Sequence, residues 1–382
     1  MKVEHRYFAV GQGLFLAGSL YCDSRKLHWI YDCGTSSSAH YLNREIKAYR
    51  NFNRSSLVNI FFLSHFDSDH INGFVLVANH YKIKRLILPL VPLWKRLLLG
   101  FKAKANSHQM HFFIDPVEYI RRFSPDTEIV LVQASSDDGA FEVEEVDLYG
   151  QAVEEIDISD DTSFVSEQVN GAARRAIILS RGGRLRFESI WEFVPFNNLG
   201  MQNAIDQKFK KQVSRLRSQM QLANGVELQR LLSRLKYVFE GRFVGSRKRN
   251  DLSLFVFSGS TLQGRSNFSL LGCNGVFSEL DASLYSGDGN LSNASRVAEL
   301  AKYLGPNRSS RILHLQIMHH GSKGNCCPEV NRTFSPIFCI SSSQPGFRGW
   351  KNPHPKVIRM FPRSNFIKCT QNYYVLLKQY FL

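Results

Sequence analysis

A short apolar run that ends in a cluster of ligand-type side chains constrains this chain more than any other feature. Leu57 to Leu63 is almost unbroken in apolar residues and rich in β formers. A run without polar alternation predicts a strand buried on both faces, which needs a sheet covered on both sides. It gives way to Ser64-His65-Phe66-Asp67-Ser68-Asp69-His70, and Ile71 to His80 then has the pattern of a packed helix. A strand, a polar loop and a helix start put these side chains at the C-terminal edge of a strand, where open sheets bind ligands. His65, Asp67, Asp69 and His70 together would arise by chance in roughly one such chain in a thousand. Imidazole and carboxylate are the ligands of zinc, manganese and iron at hydrolytic sites, whereas a polar surface loop would gather the same types without metal. Alternation lets His65 and Asp67 converge on one ion while Asp69 and His70 turn toward a second.

Two further strand ends carry the same chemistry. Ala282 to Tyr285 leads into Ser286-Gly287-Asp288-Gly289, where one carboxylate could bridge two cations. Arg311 to Met318 leads into His319-His320-Gly321-Ser322, with glycine permitting close backbone approach. Elsewhere, short β elements fill the first sixty residues around the turn Gly11-Gln12-Gly13, and a polar helix is expected near Ala39 to Tyr49. Ile205, Phe209, Val213, Leu216 and Met220, then Leu228, Leu231, Leu232, Leu235, Val238 and Phe239, recur at helical spacing on either side of Asn224-Gly225. That pattern predicts an αα-hairpin with a basic outer face. The organisation expected is therefore an N-terminal half over 1–84, a mainly helical insertion over 85–245, and a C-terminal half over 246–382.

Charge and composition narrow the function classes. The 382 residues carry a net charge of +15 with 43% hydrophobic and 21% charged residues, an ordinary globular make-up. Between Gly200 and Asn250 stand twelve Lys and Arg against three acids, while 137–162 holds eleven acids and no Lys or Arg. Either segment could be a solvated face. The alternatives are a polyanion for the first, through Lys210, Lys211, Arg215 and Arg217, and a basic protein partner for the second. No stretch reaches the roughly 18 uncharged apolar residues of a membrane helix. Seven scattered cysteines offer neither a disulfide framework nor a CxxC zinc pattern, and Met1 to Arg6 lack a leader's apolar core. A cytoplasmic location is the expectation.

Taken together, these motifs resemble the metallo-β-lactamase superfamily, and within it the soluble domain of the competence protein ComEC and its freestanding relatives. Val10-Gly11-Gln12-Gly13 and Tyr31-Asp32-Cys33-Gly34 are similar to that group's opening. Leu63 to Gly73 looks like its metal motif, with Asp67 where many members carry a second His. Asn250 to Leu254, Gly287-Asp288 and His319-His320-Gly321-Ser322-Lys323 resemble its later motifs, and Asn352-Pro353-His354-Pro355-Lys356-Val357 its terminal element. Ala9 and Leu14 stand where the group carries acids, and Asn352 where it carries a His.

The resemblance implies an αββα four-layer sandwich with two divalent ions, zinc or manganese, at one edge. It implies His65 and Asp67 on one ion, Asp69 and His70 on the other, Asp288 between them, and His320, or else His319, completing a shell. Asp32 and Ser322 would support the ligands, and the further histidine of many members has only His80, His108 and His111 as candidates. The activity implied is a phosphodiesterase or nuclease acting on DNA or RNA through a metal-activated hydroxide, with Asp69 and His354 as catalytic groups and Lys323 holding phosphate. The same scaffold also hosts hydrolases of small esters, lactones, thioesters and cyclic nucleotides, and a non-catalytic binding subunit is the third alternative.

Overall fold

The computed structural model describes residues 1–102, 107–135, 152–159, 168–169, 172–173, 176–198, 213, 215–216, 219–220, 222–223, 225–240, 253–262, 266–270, 273–277 and 280–381. Among these residues the chain is a mixed α/β protein built on one large sheet that curls until it is nearly a barrel.

The ladder is easiest to follow from the Leu57–Phe62 strand. It lies parallel between Arg25–Cys33 and Lys82–Pro89, and Glu128–Val132 extends the parallel block. On the other side Arg25–Cys33 pairs antiparallel with Phe15–Cys22, which pairs with Lys2–Tyr7, which pairs with Val375–Phe381. Both ends of the described chain thus lie side by side within the sheet, which continues past Val375–Phe381 into Ser266–Leu270 and Cys273–Phe277.

The long strand Ile177–Phe187 turns the corner. Its first residues run parallel to Val130–Val132, and after a register shift its last residues pair antiparallel with Trp191–Phe193. From there the ladder continues through Trp191–Asn198, Ser253–Ser260, Ala282–Tyr285, Ile312–Gln316, Phe338–Ser342 and Asn365–Cys369, the last four parallel. The segment expected to be a mainly helical insertion therefore supplies four strands of the main sheet, Glu128–Val132, Ala152–Asp157, Ile177–Phe187 and Trp191–Asn198. Glu128–Val132 is only five residues long and Ile177–Phe187 is interrupted by Arg181-Gly182-Gly183-Arg184, so little period-two signal survives beside the strong helical stripes.

Side chains from the two stretches of the ladder meet face to face. Trp29 packs edge-on to Phe193 with ring centroids 5.2 Å apart, and Tyr31 lies 5.2 Å from Tyr285. The Tyr31 hydroxyl donates to the Leu254 carbonyl at 2.7 Å, and the Leu254 N–H donates to the Ser64 carbonyl at 2.7 Å. These bonds tie the two stretches together directly beneath the Ser64–His70 loop.

Helices cover the outer faces. Ala39–Phe52 starts at Ser38, whose hydroxyl accepts the His40 N–H, and buries Leu42, Ile46 and Tyr49 against the first stretch. Ala294–Leu304 starts at Asn293 and buries Val297, Leu300 and Leu304 against the second. The Gly225–Glu240 helix carries the expected stripe, with Leu228, Leu231, Leu232 and Leu235 buried. Arg215 is exposed; Lys210, Lys211 and Arg217, with most of the acidic 137–162 strip, lie outside the described residues. The single helix expected over Ile71 to His80 is two, Ser68–Ile71 and Phe74–Ala78. They break at Gly73, whose N–H bonds the Cys33 carbonyl, and a Cβ there would strike the Cys33 sulfur. No described helix is long and apolar enough to cross a membrane.

Candidate metal centre

Every group of the candidate site comes from the C-terminal end of a parallel strand or the loop just beyond it. Asp32 closes Arg25–Cys33, the Ser64–His70 loop follows Leu57–Phe62, Asp288 follows Ala282–Tyr285, and His319 and His320 follow Ile312–Gln316. The carbonyls that a parallel sheet leaves open at this edge let loops diverge and side chains converge.

Asp32 is the hub beneath the ligands. It is fully buried, and its carboxylate accepts the Ser64 N–H at 2.7 Å, the Ser64 hydroxyl at 2.6 Å and His70 Nδ1 at 2.7 Å. One side chain thereby fixes where the metal loop starts and how the ring near its end is turned. Because Ser64 Oγ gives its proton to Asp32, it accepts from His65 Nδ1 at 2.8 Å. His319 Nδ1 donates to Asn325 Oδ1 at 3.0 Å and His320 Nδ1 to the Ser342 carbonyl at 2.8 Å. With each Nδ1 occupied, all four rings present Nε2.

The Nε2 atoms converge on Asp288, and its two oxygens divide them. Oδ1 lies 3.2 Å from His70 and 3.6 Å from His320, while Oδ2 lies 3.5 Å from His319 and 3.9 Å from His65. Asp67 joins the second group, 3.7 Å from His65, and Asp69 the first, 3.5 Å from His320. Nε2 of His65, His70 and His320 and Oδ1 of Asp288 are buried, and none of them has a hydrogen-bond partner. Leaving four such atoms unpaired would cost several kcal/mol, roughly 1–3 for each. Their spacing is that of ligands around shared cations, and Asp69, His70 and His320 offer atoms close enough to hold one. The residues fit a metal.

The backbone is strained where it serves this geometry. His319 has φ 46° and His320 φ 57°, two successive left-handed residues that are not glycine, and Asp32 has φ 57°. Each costs of order 1–3 kcal/mol and needs a surrounding structure that over-determines it. Here the His319 N–H bonds the Gly287 carbonyl at 3.0 Å, and the Ser341 hydroxyl bonds the His320 carbonyl at 3.0 Å. Gly34 permits the closest approach, since a Cβ there would lie 2.5 Å from the Asp69 carbonyl carbon.

Electrostatics follow from the packing. Burial pushes against charge on both sets of groups, yet Asp288 and Asp32 together raise the His70 imidazole well above its usual range. His320 is raised too, by Asp288 and Asp69 against its burial. Asp288 is held well below the carboxylate range, its burial outweighed by His319, His320 and His70. Asp69 comes down to about 2, because the His320 ring 3.5 Å away and the charge of His70 overcome its burial. His65 is lowered, by burial and then by its neighbour His70. Protons on imidazole thus balance the carboxylates, the part that cations take when bound.

The site opens on one side. Asp67 is 37% exposed and His319 27%, whereas the His70 side chain is wholly buried. The remaining expected residues ring this mouth or stand behind it. The Ser322 N–H bonds the His319 carbonyl, and Lys323 beyond it is exposed. His354 sits behind Gly321, whose carbonyl accepts its N–H, and its Nδ1 accepts the Lys356 N–H at the start of Pro355–Ile358. His80 lies in the turn after Phe74–Ala78 and His111 in the Ser107–Ile114 helix, both outside the cluster. Sequence reasoning missed Ser64, Asn325 and the Ser342 carbonyl. Only Ser64, adjacent to His65, offered a signal. No protein-family model matches the chain, and no curated protein does.

Proposed function

We propose that this protein is a binuclear metal-dependent hydrolase of phosphodiesters, acting on nucleic acid. The observation that carries the reading is the division of Asp288, one oxygen facing His70 and His320 and the other His65 and His319. A carboxylate so placed can span two ions, His65, Asp67 and His319 holding one and Asp69, His70 and His320 the other. The mixed imidazole and carboxylate shell suits zinc or manganese. Three cores, one between the two stretches of sheet and one under each set of helices, support reading the layers as the αββα sandwich. The motifs, their order and their strand-end placement support the metallo-β-lactamase resemblance.

Bound cations supply two things at such a site, an activated water near neutral pH and positive charge for the developing negative charge. The chain's own residues do the rest. Asp32 keeps the His70 proton on Nδ1 and Ser64 does the same for His65, so that both rings stay turned inward. Asp69, ionised at neutral pH, accepts a hydrogen bond from the attacking water at its free oxygen. His354, whose Nδ1 already accepts from Lys356, carries its proton on Nε2 and gives it to the leaving oxygen. Lys323 on the open side holds a substrate phosphate.

The test measures bound metal by elemental analysis and turnover of bis(nitrophenyl) phosphate, single-stranded DNA, duplex DNA and RNA under zinc, manganese and magnesium. We expect two metal equivalents and turnover that an Asp69→Ala, His70→Ala double variant loses. A metal-replete protein inert toward every phosphodiester would overturn the reading.

A further inference from the structure

The loop that leaves the Phe338–Ser342 strand begins and ends on the metal centre. Ser342 supplies the carbonyl that orients His320, and Gln344 Oε1 accepts the Ser37 hydroxyl at 2.6 Å beside the Gly11 turn. On its return, Pro353 packs so close to Gly321 that a Cβ there would clash at 2.5 Å, and His354 bonds the Gly321 carbonyl. Between these anchors the loop carries two aromatic residues, Trp350 exposed and Phe347 half-buried. Phe347 and Trp350 meet edge to face with centroids 5.8 Å apart, and the Arg348 guanidinium lies over the Phe347 ring at 5.1 Å.

This tip is built. The Phe347 N–H bonds the Gln344 carbonyl, the Gly349 N–H that of Gly346, and the Trp350 N–H that of Phe347. Gly346, Arg348 and Gly349 all take positive φ, which folds the chain back on itself, with Trp350 exposed and Phe347 half-buried. Trp350 is 45% exposed, whereas Trp29, Trp94 and Trp191 are buried. The neighbouring loop, joined to the base of this one through the bond from the Ser343 N–H to the Cys369 carbonyl, exposes Tyr373 and Tyr374, with Arg6 over the Tyr374 ring at 4.4 Å.

Charge says what such a surface fits. From Gln344 to Lys356 the chain has three Lys and Arg and no Asp or Glu. Aromatic faces interleaved with cations, without acids, repel a basic or neutral partner less than they attract a polyanion with π faces of its own. Only an unpaired strand offers base faces for stacking, because a duplex keeps them inside. A rigid tip also loses little conformational freedom on binding.

We propose that the Gln344–Lys351 loop is a base-stacking platform seating single-stranded nucleic acid beside the metal centre. Trp350 and Phe347 take the bases, and Arg348 and Lys351 the phosphates. The proposal rests on the phosphodiesterase reading and adds the substrate's strandedness and the residues that position it.

Trp350 is its own probe. In chelator, so that nothing is cleaved, twelve-residue oligo-dT and oligo-U are titrated into the full chain while tryptophan emission is followed. Labelled-oligonucleotide anisotropy runs in parallel. We expect quenching by both strands, little by a duplex of equal length, and affinity falling roughly 5- to 100-fold in Trp350→Ala and much less in Trp350→Phe. The metal content of Trp350→Ala, read by elemental analysis, should match the parent, showing an intact centre. Absence of quenching, equal quenching by duplex, or parental oligonucleotide affinity in Trp350→Ala would each overturn the platform. Bis(nitrophenyl) phosphate turnover without oligonucleotide binding removes the platform and leaves the hydrolase; stacking without any metal-dependent turnover does the reverse.

Discussion

Among the described residues, histidine is buried both beside carboxylates and away from them, to opposite effect. At the strand ends His65, His70, His319 and His320 crowd around Asp288. Deeper in the fold, His5 and His314 meet between the two stretches of sheet with ring centroids 4.7 Å apart. Ser283 Oγ sits between them, 2.9 Å from His314 Nδ1 and 3.4 Å from His5 Nε2. Among the described residues no carboxylate is paired with either ring, so burial lowers His314 to about 3, and burial with the neighbouring His314 lowers His5 well below its usual range. His28, bonded to Ser19 at 2.7 Å, comes down to about 4. At the strand ends Asp32, Asp69 and Asp288 reverse the direction for His70 and His320. The side chain is the same in both places; the partner decides whether it is a ligand or part of the core.

The hardest blow to this contrast is removal of the shared carboxylate. Asp288→Asn should lower turnover of bis(nitrophenyl) phosphate by a factor on the order of 1,000 and strip the protein of metal, read by elemental analysis. If the variant keeps its metal, the four rings are not organised around Asp288 and the contrast fails. Asp32→Asn acts one step further out. It should weaken metal binding about 10- to 100-fold in a chelator competition, because His70 loses the acceptor that turns it.

The two groups should also answer pH with opposite signs. In the metal-free protein, His70 and His320 hold protons above the ordinary imidazole range. The stability they contribute is complete below that range and is lost as pH rises through their raised values. Metal has to displace those protons, so its affinity should rise with pH. Calorimetry in two buffers of different ionisation enthalpy should register proton release. An identical heat in both buffers would mean that these rings are not ligands.

The core histidines bind fewer protons folded than unfolded between their lowered values and about 6.5. Their contribution is complete above about 6.5 and erodes as pH falls toward 4 and then 3. Each group in that window tilts stability by up to about 1.4 kcal/mol per pH unit. His314→Asn should therefore be less stable at neutral pH yet show a shallower loss between pH 6.5 and 4 in denaturant titrations, with turnover unchanged. A steeper acid slope in that variant would sink the explanation.

Much of this contrast was legible in residue types. His65 and His70 stand among acids at the end of an apolar strand, whereas His314 interrupts a strand-like run with no acid adjacent and His5 lies inside a strand whose one nearby acid, Glu4, falls on the opposite face by alternation. The first pattern reads as ligands and the second as core. The sheet was less legible: Glu128–Val132 and Ile177–Phe187 belong to the main ladder only because distant strands pair with them. A short run of β formers among charges has no local signature that survives beside strong helical stripes. The assignment of His319 was illegible for the same kind of reason. Adjacent to His320 and of the same type, it faces the other oxygen of Asp288, through two left-handed backbone residues that no local rule favours.

Ligand chemistry and strand-end position could be read from the linear chain because both depend on residue type and on patterns a few residues long. Which oxygen each imidazole faces, which hydroxyl and carbonyl hold its other nitrogen, and which aromatic loop borders the opening were decided in three dimensions. Those relations join residues tens to hundreds of positions apart, as when Asp32 orients His70 and Ser37 anchors Gln344. Contacts of that span form only after the sheet has paired, and their energy comes from excluding water around groups that were strangers in the sequence.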